Sequence, residues 1–295
     1  MKSVSIVIPN FNGKRLLERY LPFVEQACQH ATMLTAWEII IVDDASTDDS
    51  VTFIKTHYPH IRLIRNEQNS GFSITANHGI QAATMQLVLM LNNDIQLPAR
   101  FFDKTIPYFD REDTFGVYST LKDTTGTIVL EGRKLPLVHH DKLSYTDDKS
   151  SAEGVSLYLC GGNALIDRQK LLALHGYDEI YSPFYCEDMD LSLRAWHHGW
   201  TSWYTNSTVC IHQHSATINN QYTPQTVKRI FVRNRLIVSY FFLPRRPFRR
   251  FWFKLHWHAF IERLRLKPGA YCDARRLIVR SHRQRTPMEL TRWFR

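Results

Sequence analysis

The sequence predicts an α/β fold built on a central, mostly parallel sheet with helices on both faces. Three observations carry this. Short apolar runs alternate with helix-patterned segments through the first hundred residues. The runs are continuous rather than alternating, as expected of strands covered on both sides. Clusters of Asn and Asp follow three of them, at the strand ends where such sheets bind ligands.

Taken in order, Val4 to Ile8 is the first strand, stopping at Pro9. Leu16 to Cys28 has helical spacing, with Pro22 expected to kink or divide it. Trp37 to Val42 is the second strand. Ser46-Thr47-Asp48-Asp49 reads as a helix start, with Ser50 to His57 as the helix. Ile61 to Arg65 is a third strand, Thr75 to Ala83 a helix, and Gln86 to Leu91 a fourth strand. Further on, Leu191 to Trp196 opens a helix that ends near His198-Gly199. The polar clusters are Asn10-Phe11-Asn12-Gly13, Asp43-Asp44-Ala45-Ser46 and Asn92-Asn93-Asp94. Three such clusters on one sheet edge would form a site.

Composition narrows the classes. With 295 residues, 44% apolar and 22% charged, the chain is neither disordered nor fibrous. No apolar run reaches the roughly 18 residues of a spanning helix, and Val4 to Ile8 ends too soon for a secretory signal. Five scattered cysteines without a C-x-x-C pair suggest reduced thiols and a cytoplasmic setting. A G-x-G-x-x-G fingerprint is absent after the first strand, which removes the main support for a dehydrogenase. Asn10 to Arg15 is a poor triphosphate loop, which weakens nucleotidyl transfer.

Charge is divided. Residues 228–295 hold 19 Lys and Arg against Glu262, Asp273 and Glu289, a net +16, whereas the other 227 residues net −7. In this tail Phe248, Phe251, Trp252, Leu255 and Ala259 fall at helical spacing, widened by Phe260, Ile261 and Leu264. A cationic helix with one aromatic face suits a membrane interface. The alternative is a helix packed on the body with a solvated basic face. The tail holds no recognised nucleic-acid motif, so nucleic acid is not expected as a partner.

The ordered clusters resemble the inverting family-2 glycosyltransferases of GT-A fold. The stretches concerned are Ser5-Ile-Val-Ile-Pro-Asn-Phe-Asn, Ile41-Val-Asp-Asp-Ala-Ser-Thr-Asp-Asp-Ser, Asn69-Ser-Gly-Phe, Leu91-Asn-Asn-Asp and Phe184-Tyr-Cys-Glu-Asp-Met-Asp-Leu-Ser-Leu-Arg-Ala. Cys160-Gly-Gly-Asn-Ala-Leu-Ile-Asp-Arg and Arg233-Asn-Arg-Leu are similar to a bacterial rhamnosyltransferase-like branch. The resemblance covers about residues 3–240. It implies a Rossmann-like central mixed sheet in a catalytic domain at 1–225, with a donor half at about 1–95 and an acceptor half at about 96–225. Residues 226–295 would form a basic helical extension.

The resemblance also implies a nucleoside-diphosphate sugar as donor, a Mn²⁺ or Mg²⁺ ion, and a surface-glycan acceptor, often lipid-linked, at the inner face of the membrane. Asp44 would accept from the base, walled by Pro9 and Phe11. Asn69 and Gly71 would cover the donor. Asn92, Asn93 and Asp94 stand at the family's D-x-D position, with Asp94 a metal ligand and the neutral Asn92 a contact to ribose or to a metal-bound water. Gly161 and Gly162 would let the backbone approach the sugar or acceptor. Asp188 would be the general base and Glu187 would orient the acceptor or loop, with Glu187 the alternative base. His212, spaced suitably from Thr217, would be a second metal ligand, with His214 the runner-up. A non-catalytic sugar-nucleotide or glycan scaffold on this fold is the competing class, fed by the neutral Asn92. The sugar, and the choice among UDP, dTDP and GDP, are not read from the sequence.

Overall fold

The computed structural model describes residues 1–148, 150, 152–213, 221–265 and 269–288. Its centre is a mixed sheet. The parallel strands β1 (Lys2–Asn10), β2 (Leu34–Asp43), β3 (Arg62–Arg65) and β4 (Leu87–Leu91) lie in the order β4-β1-β2-β3. Val7, Ile40, Val42 and Met90 face one layer, and Ile6, Ile8, Ile41 and Leu89 the other, all buried. Helices cover both faces, which is why these strands read as unbroken apolar runs. The chain leaves β1 toward β2 on one side, and β4 returns on the other. This switch point opens a crevice at the carboxyl ends of β1 and β4.

The sheet continues past β4 through β11 (Asn163–Asp167), antiparallel to both β4 and β6 (Thr114–Lys122), then β12 (Thr201–His212) and the short β10 (Gly154–Val155). The two-residue β5 (Ile95–Gln96) pairs with the end of β12, and β7 (Val129–Glu131) with β6. A separate hairpin joins β8 (Lys134–His139) to β9 (Lys142–Asp147).

The helices of the first half are α1 (Lys14–His30), α2 (Ser50–His57) and α3 (Phe72–Ala82). Pro22 does not divide α1, contrary to expectation. Leu17, Tyr20, Leu21, Val24, Ala27 and Cys28 form one buried stripe on the sheet, and its packing spans the bond that proline cannot make. The short α4 (Phe101–Thr105) and α5 (Arg168–Ala173) precede α6 (Glu187–His197).

Three helices form the basic extension: α7 (Pro224–Phe242), α8 (Arg245–Leu264) and α9 (Ala270–Arg280). They share a core with α6, in which Met189, Leu193 and Trp196 pack with Leu236, Phe241, Phe242, Phe251, Leu255 and Ile278. A buried charge cluster reinforces the joint. Asp190 accepts from Arg194 (2.7 Å), from Arg283 beyond α9 (2.6 Å) and from the Tyr181 hydroxyl (2.9 Å). Asp190 stands in the first turn of α6 and from there anchors the C-terminal segment. Of the apolar residues expected to meet a membrane, Phe251, Leu255 and Ala259 are turned inward, whereas Phe260 and Leu264 are exposed. Among the described residues no helix is long and apolar enough to cross a membrane.

Candidate active site

One cleft of about 410 Å³ opens at the switch point. All thirteen candidate site residues line it: Pro9, Phe11, Asp44, Asn69, Gly71, Asn92, Asn93, Asp94, Gly161, Gly162, Glu187, Asp188 and His212. They come from seven separate stretches of chain and meet because the strand ends do.

At the end of β2, Asp44 is buried and tied down. Its Oδ1 accepts from the Asn66 side chain (2.7 Å) and the Ser70 N–H (2.9 Å), and its Oδ2 accepts from the Gly71 N–H (3.0 Å). A carboxylate offers about four lone-pair sites, so Oδ2 keeps one for a ligand N–H. Asp44 thus also fastens the loop that carries Asn69 and Gly71. Gly71 sits at φ +84°, and a Cβ there would lie 2.9 Å from the Cα of Pro183. Only glycine fits both the dihedral and the approach.

Between β1 and β4, Asn93 donates to the Asn10 side chain at 2.8 Å, and Asn10 donates to Asp43 at 3.2 Å. The Asn93–Asn10 bond locks two strand ends together, while Asn93 still lines the cleft where the donor was expected. The Asn92 N–H donates to the Gly162 carbonyl at 2.9 Å, joining β4 to the turn before β11. A Cβ on Gly162 would meet the Ile95 side chain at 2.9 Å, so this glycine serves packing beneath the cleft.

Pairing of β5 with β12 sets His212 opposite Ile95. This brings His212 Nε2 to 3.1 Å from Asp94 Oδ1. Two donors each roughly 2.1 Å from one ion, at a right angle, would stand about 3.0 Å apart. The pair therefore fits a shared divalent cation. Among the described residues no group of three or more His, Cys, Asp or Glu converges on one point. Substrate oxygens and water would complete the shell, as is usual for a hard cation at a diphosphate. His214 and Thr217 lie outside the described residues.

Glu187 and Asp188 open α6 at the other wall. The approach is strained: Tyr185 and Cys186 both have φ +74°. Asn234 of α7 holds this turn, its Nδ2 donating to the carbonyls of Tyr181 (2.7 Å), Phe184 (2.9 Å) and Tyr185 (2.8 Å). Arg233 adds a bond to the Ser182 carbonyl at 2.5 Å. Asp188 Oδ1 accepts from the Met189 N–H at 2.7 Å, and the Gly161 N–H approaches Oδ2 at 3.4 Å. Burial pushes the Asp188 carboxyl up to about 6, aided by the charge of Glu131. Burial and the adjacent Asp188 push Glu187 well above the usual carboxylate range. Both carboxyls are thus held above their ordinary range and titrate as a pair. The cleft thiols Cys160 and Cys186 are pushed far up by burial, which disfavours a thiolate nucleophile.

Sequence reasoning missed part of the wall. Glu131, Tyr145, Tyr158, Tyr222, Phe231 and Arg235 also line the cleft. Arg235 donates to the Leu143 carbonyl at 3.0 Å, and its guanidinium lies 5.6 Å from the Phe231 ring centre. The Arg233-Asn234-Arg235-Leu236 stretch was the available signal for Arg235 and for the Asn234 clamp. Glu131 had none, since β7 is three residues long.

Comparison with known proteins follows the same outline. The model of the family described as glycosyl transferase family 2 matches residues 5–174. The uncharacterized glycosyltransferase YibD of Escherichia coli (strain K12) is 30% identical over 134 residues, 43% of this chain and 30% of that one. The N-acetylglucosaminyl-diphospho-decaprenol L-rhamnosyltransferase of Mycobacterium tuberculosis (strain H37Rv) is 24% identical over 224 residues, 66% of this chain and 71% of that one. This chain therefore spans less than a third of the first relative. A mannosyltransferase from Pyrobaculum calidifontis, solved with GDP-Man and Mn²⁺, superposes with a TM-score of 0.58 at 16% identity, covering 81% of this chain and 63% of that one. That likeness establishes a shared GT-A fold.

Proposed function

The chain belongs to glycosyl transferase family 2, and on that premise we propose that it is an inverting transferase. It would move a sugar from a nucleoside diphosphate to a hydroxyl of a bacterial surface glycan. One observation supports this above the others: the Asp94–His212 pair and the Glu187–Asp188 pair line a single cleft with Asp44.

Asp44 would accept from the base through its remaining Oδ2 site, with Pro9 and Phe11 beside the ring. Asp94 and His212 would hold a divalent cation, which supplies charge neutralisation at the departing diphosphate. Asp188, ionised near neutral pH, would take the acceptor hydroxyl proton as that oxygen attacks the anomeric carbon. A carbon–oxygen bond forms on one face while the bond to the diphosphate oxygen breaks on the other, so configuration inverts. Glu187, the alternative base, would orient the acceptor or the loop. The Asn234 clamp would fix the loop that aims Asp188.

We infer rhamnose as the sugar and a lipid-linked acceptor at the cytoplasmic membrane face. They are supported by the rhamnosyltransferase relative and, for a phosphate-bearing acceptor, by Arg235 in the cleft wall. The test is transfer from dTDP-rhamnose, UDP-sugars and GDP-mannose to a prenyl-diphosphate-linked sugar with Mn²⁺ present, read by NMR of the new linkage. An inverted anomeric centre is expected. A retained centre would refute the mechanism, and no nucleotide release from any donor would favour the scaffold.

A further inference from the structure

The transferase reading leaves the outer face of α8 unused. Phe251, Leu255 and Ala259 bury one side of this helix. On the opposite side Phe253, Trp257, Phe260 and Leu264 recur at intervals of four, three and four residues, which is one stripe on a helix. They are 70%, 52%, 52% and 63% exposed. Scattered exposed apolar residues are ordinary, but four large ones in register are not.

The charge that the helix itself carries beside the stripe is cationic, with Lys254 paired to Asp141 of the β8–β9 turn. Arg245, Arg246, Arg249, Arg250, Lys254 and Arg263 are all exposed on the same helix. Its single acid, Glu262, is drawn inward, where Oε2 accepts from the N–H groups of Gly269 (3.0 Å) and Cys272 (2.9 Å) at the start of α9. The outward surface of α8 therefore combines large apolar groups with cations and offers no carboxylate of its own.

We propose that α8 docks on an anionic lipid surface, with the Phe253–Leu264 stripe in the acyl boundary and the flanking cations among the headgroups. A second copy of the chain is a poorer occupant, because a self-pairing stripe would bring these arginines against their own images. Phe251, Leu255 and Ala259 already anchor α8 to the body, so docking needs no rearrangement of the fold.

The test is flotation of the full chain with phosphatidylcholine vesicles that contain or lack about 30 mol% phosphatidylglycerol, at about 0.1 M and 0.5 M NaCl. The protein should float with the anionic vesicles, less at high salt. Phe253→Ser with Trp257→Ser should lower partitioning at least about tenfold. Arg249→Gln with Arg250→Gln should lower it by about fivefold per residue and flatten the salt dependence. All four side chains are exposed, so both double variants should unfold at the parental temperature. Three results would overturn the proposal: a parent that stays with the soluble fraction, equal binding to neutral and anionic vesicles, or a concentration-dependent dimer that the aromatic variant dissociates. Binding requires no turnover, so the outcome is independent of the transferase reading.

Discussion

Replacing Asp188 by Asn should stabilise the protein at pH 7 while abolishing transfer. The folded state holds this carboxyl at about 6, against 3.8 for an unperturbed Asp. A folded value above the unfolded one means that the native state binds the proton more tightly. Its stability contribution is best at low pH and declines as pH rises from about 4 to about 6. The cost of the buried charge is then on the order of 3 kcal/mol at pH 7 and about 1 kcal/mol at pH 4.5. Asn keeps an acceptor for the Met189 N–H (2.7 Å) but surrenders part of the local field. A net gain of about 1–2 kcal/mol remains, or roughly 2–4 °C in Tm for a chain of this size. Turnover should fall by about 10²–10⁴. The assay is thermal unfolding of parent and variant at both pH values, beside donor binding and transfer. A variant several degrees less stable at pH 7 would show Asp188 to be structural, and parental turnover would remove it as the base.

Four further outcomes follow from the same geometry. Glu131→Gln removes a neighbouring negative charge from Asp188, so the acid limb of kcat against pH should move below about 6; an unmoved limb would separate the two groups. Asp94→Ala should raise the donor Kd about tenfold or more with Mn²⁺ and leave it unchanged in EDTA, read by calorimetry. Asn234→Ala frees three loop carbonyls, costs about 2–3 kcal/mol by denaturant unfolding, and should lower kcat with Asp188 intact. Arg283→Met strands part of Asp190 and Asp178 and should cost about 3 kcal/mol, the low end for a broken buried pair, because Arg194 still meets Asp190.

The donor half of the fold was legible because its physics is local. A strand buried on both faces must be apolar throughout, and β1, β2 and β4 are. The polar clusters were legible as a site because a parallel sheet brings its carboxyl ends to one edge. The acceptor half was not. β6 is buried almost throughout, yet Thr114, Gly116, Ser119 and Thr120 break up its apolar pattern, so its place beside β11 and β12 depends on pairing rather than periodicity. In α8 the difficulty was reversed. Aromatics occupy both faces, and periodicity cannot say which one meets the core. Phe251 went inward and Phe253 outward, two residues apart. The anchoring role of Asp190 was not legible either, because its partner Arg283 is 93 residues away in sequence.

The central claim is a nucleoside-diphosphate site that shares a cation between Asp94 and His212. The most direct measurement is thermal unfolding with UDP, dTDP, GDP and CMP, each with Mn²⁺ and with EDTA. A ligand that binds only the native state at 100 times its Kd adds about 2.7 kcal/mol, a shift of several degrees. One nucleoside diphosphate should raise Tm with Mn²⁺ and not with EDTA, and Asp94→Ala should abolish that difference. A Tm unmoved by all four nucleotides, or a shift indifferent to the metal, would contradict the account.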